Sequence, residues 1–469
     1  MAAHSSSLHL PTLHLPTRRS FLAGLAASVA SAVPKYNVLL IAVDDLRPEL
    51  GCYGNPIVRS PNIDRLARRG VRFERAYCQY PLCNPSRTSL LTGRYPTTTR
   101  VLDNLRYFRD QFPDWITLPQ LFRQNGYVTA RTGKIFHGTI DDAPSWDEGG
   151  EPVLRRQAPS PEERARQARN SDRWEAVPGE GEDQPDYRTA SRALELLEKY
   201  KDRPFFLGVG FVKPHSPLVA PKKYFDLYEP ARIPLPEDFA PRPTLPPGVP
   251  SVALPERNGD LFIGRDATPE AAREMIRAYY ACVSFMDAQV GRVLDKLESL
   301  GLADRTIVVL FGDHGYHLGE KGKWSKHNSL YEVTARVPLI IVAPGMARAG
   351  AACPRTVELV DLYPTLTELC NLKPPPGLEG QSLVPLLRDP HQTWDHPAYT
   401  VTLRGKIFGR TVRTERYRYT EWDPEGTQAE LYDHRSDPHE RRNLAAEPSY
   451  ASVRKQMRDL LRRLPATPP

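Results

Sequence analysis

Asn37-Val38-Leu39-Leu40-Ile41-Ala42-Val43 is an unbroken apolar run that stops abruptly at Asp44-Asp45. A strand with one wet face alternates apolar and polar residues. A run without alternation marks a strand covered on both faces, as in a parallel sheet between two helical layers. Runs of the same kind recur at 127–130, Phe205–Phe211, 306–311 and 337–342, the last two rich in β-branched residues. Helical patterns fall between them. Pro61–Arg69 has Pro at its start, Ser60 as a candidate cap and Gly70 past its end. Residues 187–200 place Ala190, Ala193, Leu194 and Leu197 on one face, and 269–300 form a long helix stopped by Gly301. The alternation predicts an α/β fold, a large and mostly parallel sheet flanked by helices.

Outside this frame the texture changes. Segments 141–186 and 229–268 are irregular and rich in Pro or charge, the kind of long loop that serves as a lid or binding segment. From His396 onward, 411–420 alternates like an antiparallel strand pair with one wet face. Residues 430–433 read as a further strand and 448–464 as a last helix. We therefore expect a main domain over 36–392 and a small C-terminal α+β subdomain over 396–464.

Residues 1–33 read as an export signal. Arg18-Arg19-Ser20-Phe21-Leu22 leads a short apolar run that ends in Ala30-Ser31-Ala32, which resembles a twin-arginine signal with a cleavage site. The expected location is periplasmic or secreted. No stretch approaches the ~20 apolar residues that span a bilayer, so no membrane partner is expected. The net charge of +7 is spread among acidic residues with no long basic block, which argues against nucleic acid and is compatible with anionic substrates. Six cysteines are too few for a disulfide scaffold, although Cys353 and Cys370 could pair outside the cytoplasm.

Polar residues gather where strands end. The first strand leads to Asp44-Asp45, the second to Lys134 and His137, the third to His215 and the fourth to Asp313-His314. Ligands of open α/β sheets bind outside the carboxyl ends of strands, so these residues describe one site. Three carboxylates brought together repel and are costly to bury uncompensated. A divalent cation with oxygen ligands resolves this, Ca²⁺ by preference with Mg²⁺ as the alternative; from spacing alone, three separately solvated Asp residues stand as an equal reading.

The remaining motif is Cys83-Asn84-Pro85-Ser86-Arg87, followed by Thr88-Ser89-Leu90-Leu91-Thr92-Gly93-Arg94. Pro85 suits the first helical position and Gly93 the stop. Cys83 then sits at a helix N-terminus, where the dipole favours negative charge, with Arg87 one turn on. From the residues alone this is either a nucleophile or a buried cysteine without chemistry.

The stretch resembles the signature of the formylglycine-dependent sulfatase family, in which the cysteine is oxidised to an aldehyde. The segments V-D-D-L-R-P-E-L-G-C-Y-G, T-G-K-I-F-H, V-K-P-H, G-D-H-G and W-S-K-H-N resemble the iduronate-2-sulfatase branch. The resemblance implies an alkaline-phosphatase-like sandwich and the following roles. Cys83 becomes formylglycine, installed by a separate enzyme, and its hydrate is the nucleophile. Asp44, Asp45, Asp313, His314 and the modified Cys83 hold the cation. Arg87 stabilises the hydrate, Lys134, His215 and Lys326 contact sulfate, and His137 is the base that expels it. Either His215 or Lys326 protonates the leaving alcohol. The expected substrate is a sulfated, uronate-containing sugar. Trp324 is either a sugar platform or a core residue. Two rivals stand beside this reading: a phosphate or phosphonate ester hydrolase of the same fold, and an exported protein that binds sulfated glycans without turnover.

Overall fold

Along β1 (Asn37–Val43) the side chains divide between two cores. Leu39, Ile41 and Val43 pack with the helices Pro185–Tyr200 and Pro269–Ser299, whereas Val38, Leu40 and Ala42 face the opposite layer, with Leu90, Leu91 and Leu366. Every β1 residue is buried, which is why the run shows no alternation. The computed structural model describes residues 1–2, 36–154, 160–346 and 348–465. All but the first two residues of the export-signal reading lie outside this set. Among the described residues no helix is long and apolar enough to cross a membrane.

The main sheet adds β2 (Val71–Tyr77), β3 (Val128–Gly133), β5 (Phe205–Phe211), β7 (Thr306–Gly312), β8 (Arg336–Val342) and β9 (Ala352–Glu358). A short parallel pair, β4 (Trp174–Val177) and β6 (Leu218–Pro221), lies apart from it. The order is β3-β5-β1-β7-β8-β2-β9. β8 runs antiparallel to both β7 and β2, so the sheet is mixed and four of its six pairings are parallel. Because β8 is reversed, its start lies at the edge where β1 and β7 end.

Several local expectations need correction. β2 and β9 were not legible, because Arg72, Glu74 and Arg75 interrupt one and Pro354 sits in the other. Segment 141–186 is not wholly irregular. It contains the helix Pro161–Ser171, capped by Ser160, and β4. Ser60 does not cap its helix; its hydroxyl accepts from Gly51 N at 2.9 Å and donates to Asp64 at 3.1 Å. Cys353 and Cys370 are both free thiols, and Cys353 instead lies against the Pro390 carbonyl.

The C-terminal sheet is a meander of β10 (Ala398–Arg404), β11 (Ile407–Arg413), β12 (Tyr417–Glu421) and β13 (Ala429–Asp433), with the helix Ala451–Leu461 against it. A buried ionic network joins it to the main sheet. Arg418 of β12 donates to Glu332, just before β8, at 2.6 Å and to Glu440 at 2.6 Å, with its guanidinium 5.5 Å from the Tyr77 ring. Removing one partner of a buried pair leaves charge uncompensated. Arg418→Met is expected to lower the unfolding free energy by about 3–5 kcal/mol in equilibrium denaturation. A loss below about 1 kcal/mol, the range of surface pairs, would contradict this role.

Candidate active site

β1 and β7 run side by side and end together, placing Asp44, Asp45 and Asp313 at one point; all three have no solvent exposure. Asp45 sits in the left-handed region at φ 62°, which turns the chain sharply after the strand. The Asp45 and His314 amides both donate to Asp313 Oδ1, at 3.2 and 2.9 Å.

The helix Cys83–Thr92 begins at Cys83 and ends at Gly93 in the left-handed conformation. Pro85 is therefore its third residue rather than its first, still within the turn whose amides need no helical partner. Cys83 Sγ lies 3.3 Å from Asp44 Oδ1 and 3.3 Å from His314 Nε2. Arg87, one turn on and 1% exposed, donates Nε to Asp313 Oδ2 at 2.7 Å and Nη1 to the carbonyls of Lys134 and Ile135. Its Nη2 is buried without a hydrogen-bond partner.

Lys134 follows β3 at Gly133 and is pressed against β5. A Cβ on Gly210 would lie 2.0 Å from the Lys134 carbonyl oxygen, so glycine is required there. Lys134 Nζ pairs with Asp44 Oδ2, and Lys326 Nζ pairs with Asp45 Oδ2 at 2.9 Å. His215 lies on a turn held by Asp186, which accepts from the Val212 and Lys213 amides at 2.8 and 2.9 Å. His215 Nδ1 faces the Ser216 carbonyl at 2.6 Å, and Nε2 lies 3.9 Å from Asp45 Oδ2. Facing a carbonyl, Nδ1 carries the proton, so Nε2 is the atom that can gain or lose one. His137 Nδ1 is buried with no partner. The sequence-derived candidates therefore converge, with Lys134, His137 and His215 only partly covered and the rest beneath them.

The electrostatics follow from this packing. Burial opposes ionisation of Asp44 and Asp45, but Lys134 and Lys326, with His215, hold both carboxyls well below the usual range. Burial, then Lys134, lowers His137 to about 2, so its imidazole is neutral. Burial and Lys326 also lower His215. Burial opposes charge on His314, yet Asp313 and the Cys83 sulfur raise it well above the ordinary histidine value.

The donor set fits a divalent cation, with the carboxylates as its oxygen ligands. One atom each from Asp44, Cys83, Asp313 and His314 lies within 4.8 Å of every other. Asp45 Oδ1 is buried and lacks a hydrogen-bond partner; it lies 3.2 Å from His314 Nδ1 without hydrogen-bonding geometry. An orphaned carboxylate oxygen beside this cluster is what a cation would satisfy.

Two supporting residues escaped the sequence reading. Asp186 and Asp260 both lie in or at the border of the irregular segments, with no local signal of their role. Asp260 accepts from Ser216 Oγ at 2.8 Å and Tyr316 OH at 2.6 Å, tying the second irregular segment to the His215 turn. Trp324 is not a sugar platform. It is fully buried and packs on Phe262 with ring centroids 4.7 Å apart.

Comparison with known proteins places this geometry. Residues 36–372 match the sulfatase family, and 319–467 match the C-terminal region of N-sulphoglucosamine sulphohydrolase. A sulfatase of Formosa agariphila is 36% identical, covering 94% of this chain and 89% of its own. Human iduronate 2-sulfatase is 35% identical, covering 85% of this chain and 87% of its own. Among solved structures, a phosphonate monoester hydrolase of Agrobacterium radiobacter superimposes with a TM-score of 0.74 at 25% identity, over 92% of this chain and 95% of that one. The fold is that of the alkaline-phosphatase-like sulfatases. On the family match and the extent of these similarities, the chain belongs to the sulfatase family and is a sulfuric ester hydrolase.

Proposed function

We propose that the substrate is a sulfated, uronate-containing sugar, and that the nucleophile is a formylglycine formed from Cys83 beside a divalent cation. The observation that carries this reading is the position of Cys83. It opens a fully buried helix, touches Asp44 and His314, and has Arg87 at its back. The likeness to iduronate 2-sulfatase supports the sugar class. Residues 1–33 are read as the export signal, and a formylglycine-installing enzyme of the host is the implied partner.

Asp44, Asp45, Asp313, His314 and the modified Cys83 would hold the cation, which when bound supplies positive charge that acidifies a hydroxyl and polarises the ester. A hydrated formylglycine supplies two hydroxyls, one to attack sulfur and one whose proton can be removed to expel sulfate. Arg87 Nη2 is the free donor placed to hold this group. Lys134, Lys326 and His215 balance the charge on the sulfuryl oxygens as the bond to the alcohol breaks. The alcohol oxygen takes its proton from Lys326 Nζ, which Asp45 keeps charged, or from His215 Nε2 where the bound sulfate has first brought that imidazole to its protonated form. His137, neutral and with a free Nδ1, accepts the second hydroxyl proton so that sulfate leaves and the aldehyde returns.

Two outcomes are expected. Mass analysis of active protein should show the Cys83 peptide lighter by about 18 Da, the chemistry of thiol-to-aldehyde conversion. Cys83→Ala should fold normally and have no turnover. Full activity with an unmodified Cys83 thiol would overturn the nucleophile assignment.

The second outcome concerns specificity. Kinetics on uronate 2-sulfates, hexosamine sulfates, aryl sulfates and phosphonate monoesters should give the highest kcat/KM for the uronates. A carboxylate held by a cationic side chain can orient the ester for attack. A preference for aryl or neutral sugar sulfates would remove the uronate reading. A preference for phosphonates would favour the rival hydrolase.

A further inference from the structure

Away from Cys83, a cleft of about 590 Å³ lies between β2, the start of β8 and the C-terminal sheet. Five arginines line it: Arg75, Arg336, Arg413, Arg416 and Arg435. Three glutamates line it as well, but each is already engaged. Glu332 is paired with Arg418 at 2.6 Å, Glu415 with Arg355 at 2.8 Å and Glu74 with Arg72 at 3.3 Å. Arg413 lies on Glu332, and Arg416 is closed on Asp433 by two hydrogen bonds of 2.9 and 2.7 Å.

The other three arginines differ. Among the described residues, Arg75, Arg336 and Arg435 form no pair with a carboxylate. Arg75 donates to the Pro354 carbonyl, and Arg336 Nε to the Glu74 carbonyl at 2.7 Å. A carbonyl fixes a guanidinium in place without neutralising it. Arg75 and Arg336 are thus held in place, and although Arg336 and Arg435 act at longer range on Glu332 and Asp433, the lining of five arginines against three glutamates keeps an excess of positive charge. Guanidinium forks suit planar carboxylates and the oxygens of sulfate, through paired hydrogen bonds.

The cleft also has a defined relation to the chemistry. Arg336 opens β8, whose Leu339 pairs with Phe311, two residues before Asp313. Its other wall, β2, pairs Tyr77 with Arg336 and runs directly into the segment that reaches Cys83. The cleft thus borders the sheet edge at which the catalytic residues gather, while none of them lines it.

We propose that this cleft is a second binding site for a sulfated glycan chain, holding sulfate and carboxylate groups on sugar units other than the one being hydrolysed. The cleft is far larger than a single anion requires, which favours a chain over free sulfate. The proposal rests on the reading of the substrate as a sulfated, uronate-containing sugar. It adds a preference for long chains that the catalytic residues alone do not supply.

The test uses Cys83→Ala protein, which binds without turnover, with a sulfated uronate octasaccharide and the corresponding disaccharide. Arg75→Gln combined with Arg435→Gln should weaken octasaccharide binding about tenfold in calorimetry, the effect of losing charge-assisted contacts, with the disaccharide constant unchanged. In the active protein the same pair should lower kcat/KM for the octasaccharide about tenfold and leave the disaccharide value within about twofold. Arg336→Gln, made separately, should act in the same direction, and the thermal midpoint of each variant confirms folding. Unchanged octasaccharide affinity in folded variants would overturn the proposal. So would equal losses for both lengths, or binding of polyglutamate as tight and as sensitive to the variants as that of the sulfated chain. Failure of the parent enzyme to hydrolyse the disaccharide would instead count against the substrate reading itself.

Discussion

Three carboxylates, Asp44, Asp45 and Asp313, meet at the ends of two adjacent strands with no exposure to water. Left to themselves they would repel each other and resist burial. The surroundings are arranged around that cost. Lys134 covers Asp44, Lys326 covers Asp45, and Arg87 covers Asp313. Each of these cations arrives from a different element, so the site draws β3, the helix Cys83–Thr92 and the segment after β7 to one place. Asp313 and the Cys83 sulfur raise His314 against the opposing effect of burial, and with Asp44 these groups form a cluster that a divalent cation fits.

The residues proposed for catalysis divide by exposure. The carboxylates, Arg87 and Lys326 are buried, whereas Lys134, His137 and His215 are partly open. The open groups lie where an incoming anion arrives, with Lys326 directly beneath them at Asp45. Burial, and then lysine neighbours, depress His137 and His215, whereas at His314 Asp313 and the Cys83 sulfur outweigh burial and raise it.

Much of this was legible in the sequence because both signals are local. The run 37–43 announces a doubly covered strand, and the residues directly after strands 37–43, 205–211 and 306–312 must lie at a common edge. The signature around Cys83 is continuous, so it could be read without knowing the fold. What stayed hidden depends on tertiary partners. β2 is polar because one wall of the arginine-lined cleft is built from it, so its sequence does not look like a buried strand. The reversed direction of β8 has no sequence mark at all. Asp186 and Asp260 act by accepting hydrogen bonds from segments far along the chain, Asp186 from the His215 turn and Asp260 from Ser216 and Tyr316. Trp324 read equally well as platform or core, and only its complete burial decides for the core.

If the carboxylate cluster is the organising constraint, removing its cation must disturb folding and chemistry together. The direct measurement is elemental analysis of the purified protein alongside its thermal midpoint and turnover, before and after exhaustive chelation. The account predicts one divalent ion per chain, a fall in both midpoint and turnover on its removal, and recovery of both when Ca²⁺ or Mg²⁺ is restored, because a ligand that binds only the folded state stabilises it. A protein that carries no divalent ion, and whose midpoint and turnover are unmoved by chelation, would contradict it.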